Sequence, residues 1–475
     1  MYMIYFYCMS EKKSFPIPPS IRKLVGPSFI ILALGLGSGE VILWPYLASN
    51  YGLGIVWAAI VGITFQFFIN MEIERYALVR GESVFVGIAR FLRWPSYWFI
   101  LSTFIGFGLP GIIAASAHVF GSLVGIEDFR WIAVGMLVVI GIVLSAGKTV
   151  YRLMELITRT VLLVGVPFIF ILALFISSPS DWISLGEGLI GQGNGFSFFP
   201  EGLALATFLA AFAYSGAGGN LNLTQSIYVR EKGYGMGAYA QRIAGLFHSQ
   251  SALPVRLEGE SCHVDEENIS RFKQWWRSMN IEHGIVFWLI GSISMLLLML
   301  LAFSTTSGFS DNAQGIQFVI NEGMAIGGIL SPLVGVIFLV AVTIMLFQTQ
   351  LGVMDSTSRI MSENVATIQL RKNPEKKIYL SRIYSYFVWA QIAFGSLLFF
   401  LGMYEPKQLL VLGAVINAFA MCVHIALVSW LNKKGLEKVF QPRLWRKVVI
   451  GIIFLFFSGF SIVVLLDALG VVVFL

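Results

Sequence analysis

Two short runs in this sequence combine glycine with side chains able to bind a cation. The first is Gly35–Leu36–Gly37–Ser38–Gly39–Glu40, set inside an otherwise apolar stretch. The second is Ser215–Gly216–Ala217–Gly218–Gly219–Asn220–Leu221–Asn222, preceded by Tyr214. Each glycine costs a helix about 1 kcal/mol relative to Ala, so both runs read as breaks. Unwinding frees backbone carbonyl and amide groups, and the N-terminus of the half-helix that follows favours negative charge. A carboxylate and two carboxamides beside such groups can coordinate an ion or hold a small polar solute. Glu40 is the centre of this reading, because an ionisable group at membrane depth is costly and marks function. Burial favours a carboxyl's protonated form and a bound cation its ionised form, which suits a group that alternates between proton and cation. Asn220 and Asn222 are the facing ligands, with Gly37, Ser38, Gly39, Tyr214 and Ser215 around them. Gln348 or Gln350, and Asn417, complete an oxygen-rich shell suited to a hard cation such as Mg²⁺, Mn²⁺ or Na⁺. Two plainer roles compete: tight packing of small residues between helices, and Glu40 acting only as a helix cap.

The elements that must hold these groups are membrane helices. Apolar residues make up 57% of the 475 residues and charged ones 12%, about half the charge of a soluble domain. A spanning helix needs roughly 20 apolar residues. Runs of that kind occur at 24–48, 52–73, 95–124, 130–147, 154–177, 201–229, 283–304, 327–357, 380–403, 407–431 and 447–473. The reading is an all-α membrane protein of about eleven transmembrane helices, spans 1 to 11 in chain order, in a single domain from 23 to 475 after an N-terminal segment 1–22.

Basic residues set the orientation. With the N-terminus cytoplasmic, all Lys and Arg except Arg130 and Lys407 fall on the cytoplasmic side. The expected setting is therefore a plasma or inner membrane. The net charge of +6 is a topology signal, scattered over short segments, and gives no case for nucleic-acid binding. The expected partners are the transported cation or small solute and the bilayer, with a monomer as the simplest working unit.

Other polar residues carry less. His118 in span 3 is a candidate proton relay with Glu40, though a packed histidine fits as well. His424 and Cys422 read as packing. Asp355 and Arg359 are spaced for an i,i+4 ion pair. Glu72, Glu74 and Arg75 close span 2 as an inner gate or an interfacial ion-pair cluster. The segment 231–282 reads as a cytoplasmic loop with a short interfacial helix, and its His248, Cys262, His263 and His283 match no zinc spacing. Cys8, Cys262 and Cys422 predict no structural disulfide. Met1 to Cys8 does not read as a signal peptide, and Met9 reads as the start of translation. No cofactor is expected, no Gly-rich phosphate loop indicates an ATP-driven step, and no nucleophile–base set indicates an enzyme.

The two interrupted spans lie five helices apart, as in chains built from two inverted repeats that each begin with a discontinuous helix. Repeat 1 would cover about 23–178 and repeat 2 about 200–431, with 447–473 as an extra helix. Gly26–Pro27 opening span 1, the break eleven residues on, Asn50–Tyr51–Gly52 and Trp57 resemble the first two helices of the Nramp family of proton-coupled divalent-metal transporters. Glu74 to Ser83 resembles that family's lead into its first cytoplasmic loop, and Gln348 to Met354 its eighth helix. The resemblance implies a LeuT-type fold and alternating-access symport of a metal ion.

The departures fall on the metal site. Where the family has Asp-Pro-Gly-Asn, this chain has Gly37, Ser38, Gly39 and Glu40. Where the family has Met-Pro-His in its sixth helix, the break from Tyr214 to Asn222 has none of the three. The soft sulfur ligand is gone. The expectation is an outlying Nramp-related transporter of a hard divalent cation, with Glu40 and Asn220 as metal ligands. Transport of a small organic solute, such as an amino acid with H⁺ or Na⁺, is the alternative, and a non-transporting sensor a remote one.

Overall fold

The computed structural model describes residues 12–19, 27–35, 37–145, 161–243, 255–313 and 315–469. Cys8, Met9, Leu36, His248 and the first part of span 5 lie outside the described residues.

Among the described residues, seven helical runs are apolar and long enough to cross a membrane: Leu53–Arg80, Pro95–Val124, Glu266–Thr306, Pro332–Lys372, Leu380–Phe400, Pro406–Gly435 and Leu444–Asp467. They are spans 2, 3 and 7 to 11. Span 4 is the shorter helix Arg130–Ser145, and span 5 is described from Val161–Gly165 into Val166–Ile176. Spans 1 and 6 break at their glycine runs. Large apolar side chains point outward along these helices: Phe175, Leu333 and Leu455 are each at least two-thirds exposed. Such a surface belongs in lipid.

Span 1 runs as Pro27–Gly35, turns at Gly37, and resumes as a π-helical stretch Ser38–Leu43 that continues into Trp44–Tyr51. Span 6 runs as Leu205–Ala213 and resumes at Gly219–Leu223 and Thr224–Lys232. The second break depends on glycine. Gly216, Gly218 and Gly219 have φ of 105°, 65° and 52°, where a side chain is disfavoured.

Span 3 is interrupted at Leu109–Pro110. Pro110 has no N–H with which to reach the carbonyl of Gly106. Asn417 of span 10 supplies the missing donor, its Nδ2 bonding that carbonyl at 3.0 Å.

Several boundaries differ from expectation. Span 8 begins at Pro332, and the residues before it belong to a separate helix, Gln317–Ile329. Ser331 caps the new helix by accepting from Val334 N, with Pro at its start, a favoured way to begin a helix. Its 41 residues reach Lys372, about 60 Å of helix. The segment 231–282 is less loop than expected. Asp265 caps a helix from Glu266 that runs unbroken into span 7. Two further features were not anticipated: a helix Pro179–Gly188 after span 5, and a hairpin pairing Gln192–Gly193 with Phe196–Ser197. Span 8 packs on span 3, span 7 on Trp44–Tyr51, and span 10 on Leu205–Ala213. This packing encloses the two breaks.

Candidate functional site

The two breaks touch each other. A Cβ at Gly39 would lie 1.8 Å from the carbonyl oxygen of Tyr214, and one at Gly35 would lie 2.8 Å from the Cα of Gly216. Gly37 is equally close to span 8, its Cβ position 2.3 Å from the side chain of Thr349. The glycines therefore serve both readings at once: those of span 1 allow close approach, and those of span 6 permit left-handed backbone. Ser38 starts the second half-helix of span 1.

This contact yields a prediction. Gly39→Ala forces the two backbones apart, and overpacking of this kind costs about 1–3 kcal/mol. The thermal midpoint in detergent should fall by several degrees. Gly459→Ala, which meets nothing within 4 Å, should leave it unchanged. Equal midpoints for the two variants would remove the contact argument.

Glu40 is fully buried in the first turn of the half-helix Ser38–Tyr51. Neither carboxylate oxygen accepts a hydrogen bond among the described residues. The Oε1 atom lies toward Gly35 and toward Gly291 of span 7, with Cβ positions there 3.2 and 4.0 Å away. The carboxylate thus sits where the first break, the second break and span 7 meet.

Asn220 and Asn222 are fully buried but bind different neighbours. Asn220 Nδ2 donates to Ser102 Oγ (2.8 Å) and Thr103 Oγ1 (2.9 Å) in span 3. Asn222 Nδ2 donates to Gln66 Oε1 of span 2 at 2.5 Å. Neither is hydrogen-bonded to Glu40. Asn417 Nδ2 donates to Tyr214 Oη (3.0 Å) and to the carbonyls of Gly106 and Gly413. Ser215 Oγ accepts from Trp44 Nε1 (2.9 Å) and donates to the carbonyl of Ala211. Gln348 is buried in span 8 beside Thr349. Each of the three asparagines spends its amide group on the protein and keeps its Oδ1 oxygen without a donor among the described residues. With the Glu40 oxygens, the unsatisfied atoms of these four residues are all acceptors. Buried polar atoms are rarely left unpaired; Glu40 Oε1 lies by Gly35 and Gly291, and Asn417 Oδ1 by Gly106 and Gly219.

His118 stands apart. It is half-buried near the far end of span 3, stacked on Phe129 with ring centroids 4.7 Å apart. His424 is buried in span 10, and Cys262 and Cys422 are free thiols. Asp355 binds Arg359 at 2.9 Å and accepts from Tyr384 at 2.6 Å. Glu72 is held by Arg75 (2.8 Å) and Arg446 (3.0 Å) at the end of span 2.

Glu74 belongs to another group that was not anticipated. Gln66, Asn70 and Glu74 lie four residues apart on span 2 and are all buried, forming one stripe of its surface. Gln66 also donates to the freed carbonyl of Ala213 (3.0 Å), steadying the second break. Glu74 accepts from Gln225 Nε2 at 2.9 Å and lies 3.6 Å from His283 Nδ1. His283 Nδ1 is 2.7 Å from Ser28 Oγ, which donates to Glu282. Phe287 joins this group to the breaks: it stacks on His283 at 4.7 Å and lies 2.7 Å from the Cβ position of Gly216. A polar track thus descends from the breaks along spans 1, 2, 6 and 7 toward the basic-rich side. The i, i+4, i+8 repeat of Gln, Asn and Glu in an apolar span was the signal available for it. Among the described residues no group of three or more His, Cys, Asp or Glu is placed to hold a metal ion.

Broken spans 1 and 6, packed face to face and enclosed by spans 3, 7, 8 and 10, define the LeuT-type fold. No protein-family model matches the sequence, and no curated protein matches it. Among solved structures, a mutant of the manganese transporter from Eremococcus coleocola is similar with a TM-score of 0.69 at 13% identity, over 98% of this chain and 92% of that one. The same transporter in complex with an aromatic bis-isothiourea substituted compound gives 0.68 at 14% identity, over 94% and 88%. The nucleobase-cation-symport-1 family transporter Mhp1, closed with bromovinylhydantoin bound, gives 0.53 at 15% identity, over 93% and 90%. This chain is a multi-pass, all-α membrane protein of that fold.

Proposed function

We propose that the chain is a secondary active transporter of a hard divalent cation, related to the Nramp family, that works by alternating access about its two broken spans. The observation that carries this is Glu40: a fully buried carboxylate at the meeting of both breaks, with neither oxygen hydrogen-bonded among the described residues. The acceptor-only oxygens of Asn220, Asn222 and Asn417 suit a cation. One carboxylate among neutral oxygens favours a partly hydrated Mg²⁺ or Mn²⁺ over a bare soft metal. The break glycines weigh against the organic-solute alternative, since Gly37, Gly39 and Gly219 each lie against another part of the chain rather than lining space.

In this reading Glu40 exchanges a proton for the cation. Glu74, His283, Ser28 and Glu282 carry protons on the inner side and His118 on the outer. The repeats 23–178 and 200–431 are the moving halves. The N-terminus is cytoplasmic, the membrane is the cell membrane, and the chain acts as a monomer without chemistry of an enzymatic kind.

The test is uptake into proteoliposomes of purified protein under an inward pH gradient. Mn²⁺ and Mg²⁺ should enter several-fold faster than into protein-free vesicles, and should raise the thermal midpoint. A midpoint raised only by amino acids or nucleobases, with no cation flux, would replace the cation by an organic substrate.

A further inference from the structure

A cavity of about 350 Å³ opens between spans 10 and 11, outside the site described above. Span 10 approaches the basic-rich side as it runs from Ile425 to Lys433, and span 11 leaves it from Arg446 to Phe454. The cavity is therefore graded. Its mouth carries the exposed Lys433 and Lys447, Arg446 is buried in its wall, and its depth is walled by Ile425, Ile450 and Phe454. The eight residues from Ile425 to Lys433 correspond to about 12 Å, the distance from a headgroup to the upper acyl chain.

The charge of the two lysines at the mouth meets no carboxylate among the described residues. Glu72 is the one carboxylate in the lining, and it is already bound by Arg75 and Arg446. Lys433 and Lys447 are exposed, and no salt bridge engages either among the described residues. Trp430 is half-buried in the wall, as aromatic residues are at membrane interfaces. Exposed lysines over an apolar cleft are the arrangement that holds a phosphate at the surface and an acyl chain below it.

We propose that this cleft binds an anionic phospholipid, with its phosphate between Lys433 and Lys447 and one acyl chain along Ile450 and Phe454. A free phosphate shares the headgroup chemistry but has nothing to place in the apolar depth. The proposal is independent of what the protein transports.

The test is native mass spectrometry of delipidated full-length protein titrated with phosphatidylglycerol, with phosphatidylcholine of the same chains, and with inorganic phosphate. Each lysine near a lipid phosphate is worth about fivefold in affinity. Phosphatidylglycerol should therefore be retained about tenfold or more over phosphatidylcholine, and phosphate alone should not be retained. The double variant Lys433→Gln/Lys447→Gln should lose the preference, whereas Lys376→Gln/Lys377→Gln, in the exposed turn before span 9, should keep it. Gly451 lines the cavity and has nothing within 4 Å of its Cβ position. Gly451→Leu should therefore block the acyl chain and reduce retention with both lysines in place. Equal retention of the two lipids, retention of phosphate to the same degree, or an unchanged lysine double variant would overturn the assignment.

Discussion

Glu40→Gln is expected to lower the initial rate of Mn²⁺ or Mg²⁺ uptake into proteoliposomes at least tenfold, without loss of fold. The substitution keeps the shape of the side chain and the space it fills between Gly35 and Gly291. It removes the one carboxylate found at the junction of the two breaks among the described residues. A charged partner lost from a buried site costs about 1.5–3 kcal/mol, which is roughly ten- to a hundredfold. Stability should move the other way or not at all, because a neutral amide is easier to bury than a carboxylate. The pair of measurements separates the competing roles. If Glu40 only fills the space between Gly35 and Gly291, capping nothing, Gln leaves transport within about twofold of wild type. If it binds the cation, transport collapses in a protein of normal thermal midpoint.

The largest effect on stability is expected at Arg230. Its guanidinium, 1% exposed, meets Glu363, 0% exposed, through two bonds of 3.0 and 2.9 Å, and Ser83 also donates to Glu363. This pair ties the second half of span 6 to span 8. Arg230→Met would leave Glu363 buried beside a hydroxyl but without its cation. Breaking a buried pair from one side costs about 3–5 kcal/mol, enough to abolish recovery of folded protein from detergent extracts. Arg230→Met with Glu363→Gln should restore much of that loss, since the fully buried orphaned charge is then gone and Glu231, which Arg230 also meets at 3.3 Å, is partly exposed. A double variant no better than the single one would mean that the pair's geometry matters more than its charge balance.

The sequence reading located both breaks and most spans because apolar length and glycine clusters are local signals. It placed Glu40 and the asparagines near the breaks for the same reason. The partners of those residues are another matter. Gln66 meets Asn222 across 156 positions, and Ser28 meets Glu282 across 254. No local pattern sets such pairings; they follow from how the helices pack. Glu74 shows the difficulty. By sequence it is the middle of Glu72, Glu74 and Arg75, yet Glu72 joins Arg75 and Arg446 while Glu74, on another face, joins Gln225 and lies near His283. The start of span 8 failed for a further reason. Hydropathy does not distinguish one long span from two helices meeting at Leu330–Ser331, and here the Ser–Pro signal outweighed the apolar run.

The hydrogen bond that Asn417 lends to Gly106 has a mechanical side. A carbonyl stranded by Pro110 is comfortable only while span 10 stays beside span 3, and the same carboxamide also holds Tyr214 at the edge of the second break. Separating any of the three would strand a polar group in hydrocarbon. Spans 3 and 10 and the neck of span 6 are therefore coupled like parts of one casting. The half-helix Pro27–Gly35 stands outside this unit and is held instead at Ser28, by Glu282 and His283 of the helix that leads into span 7.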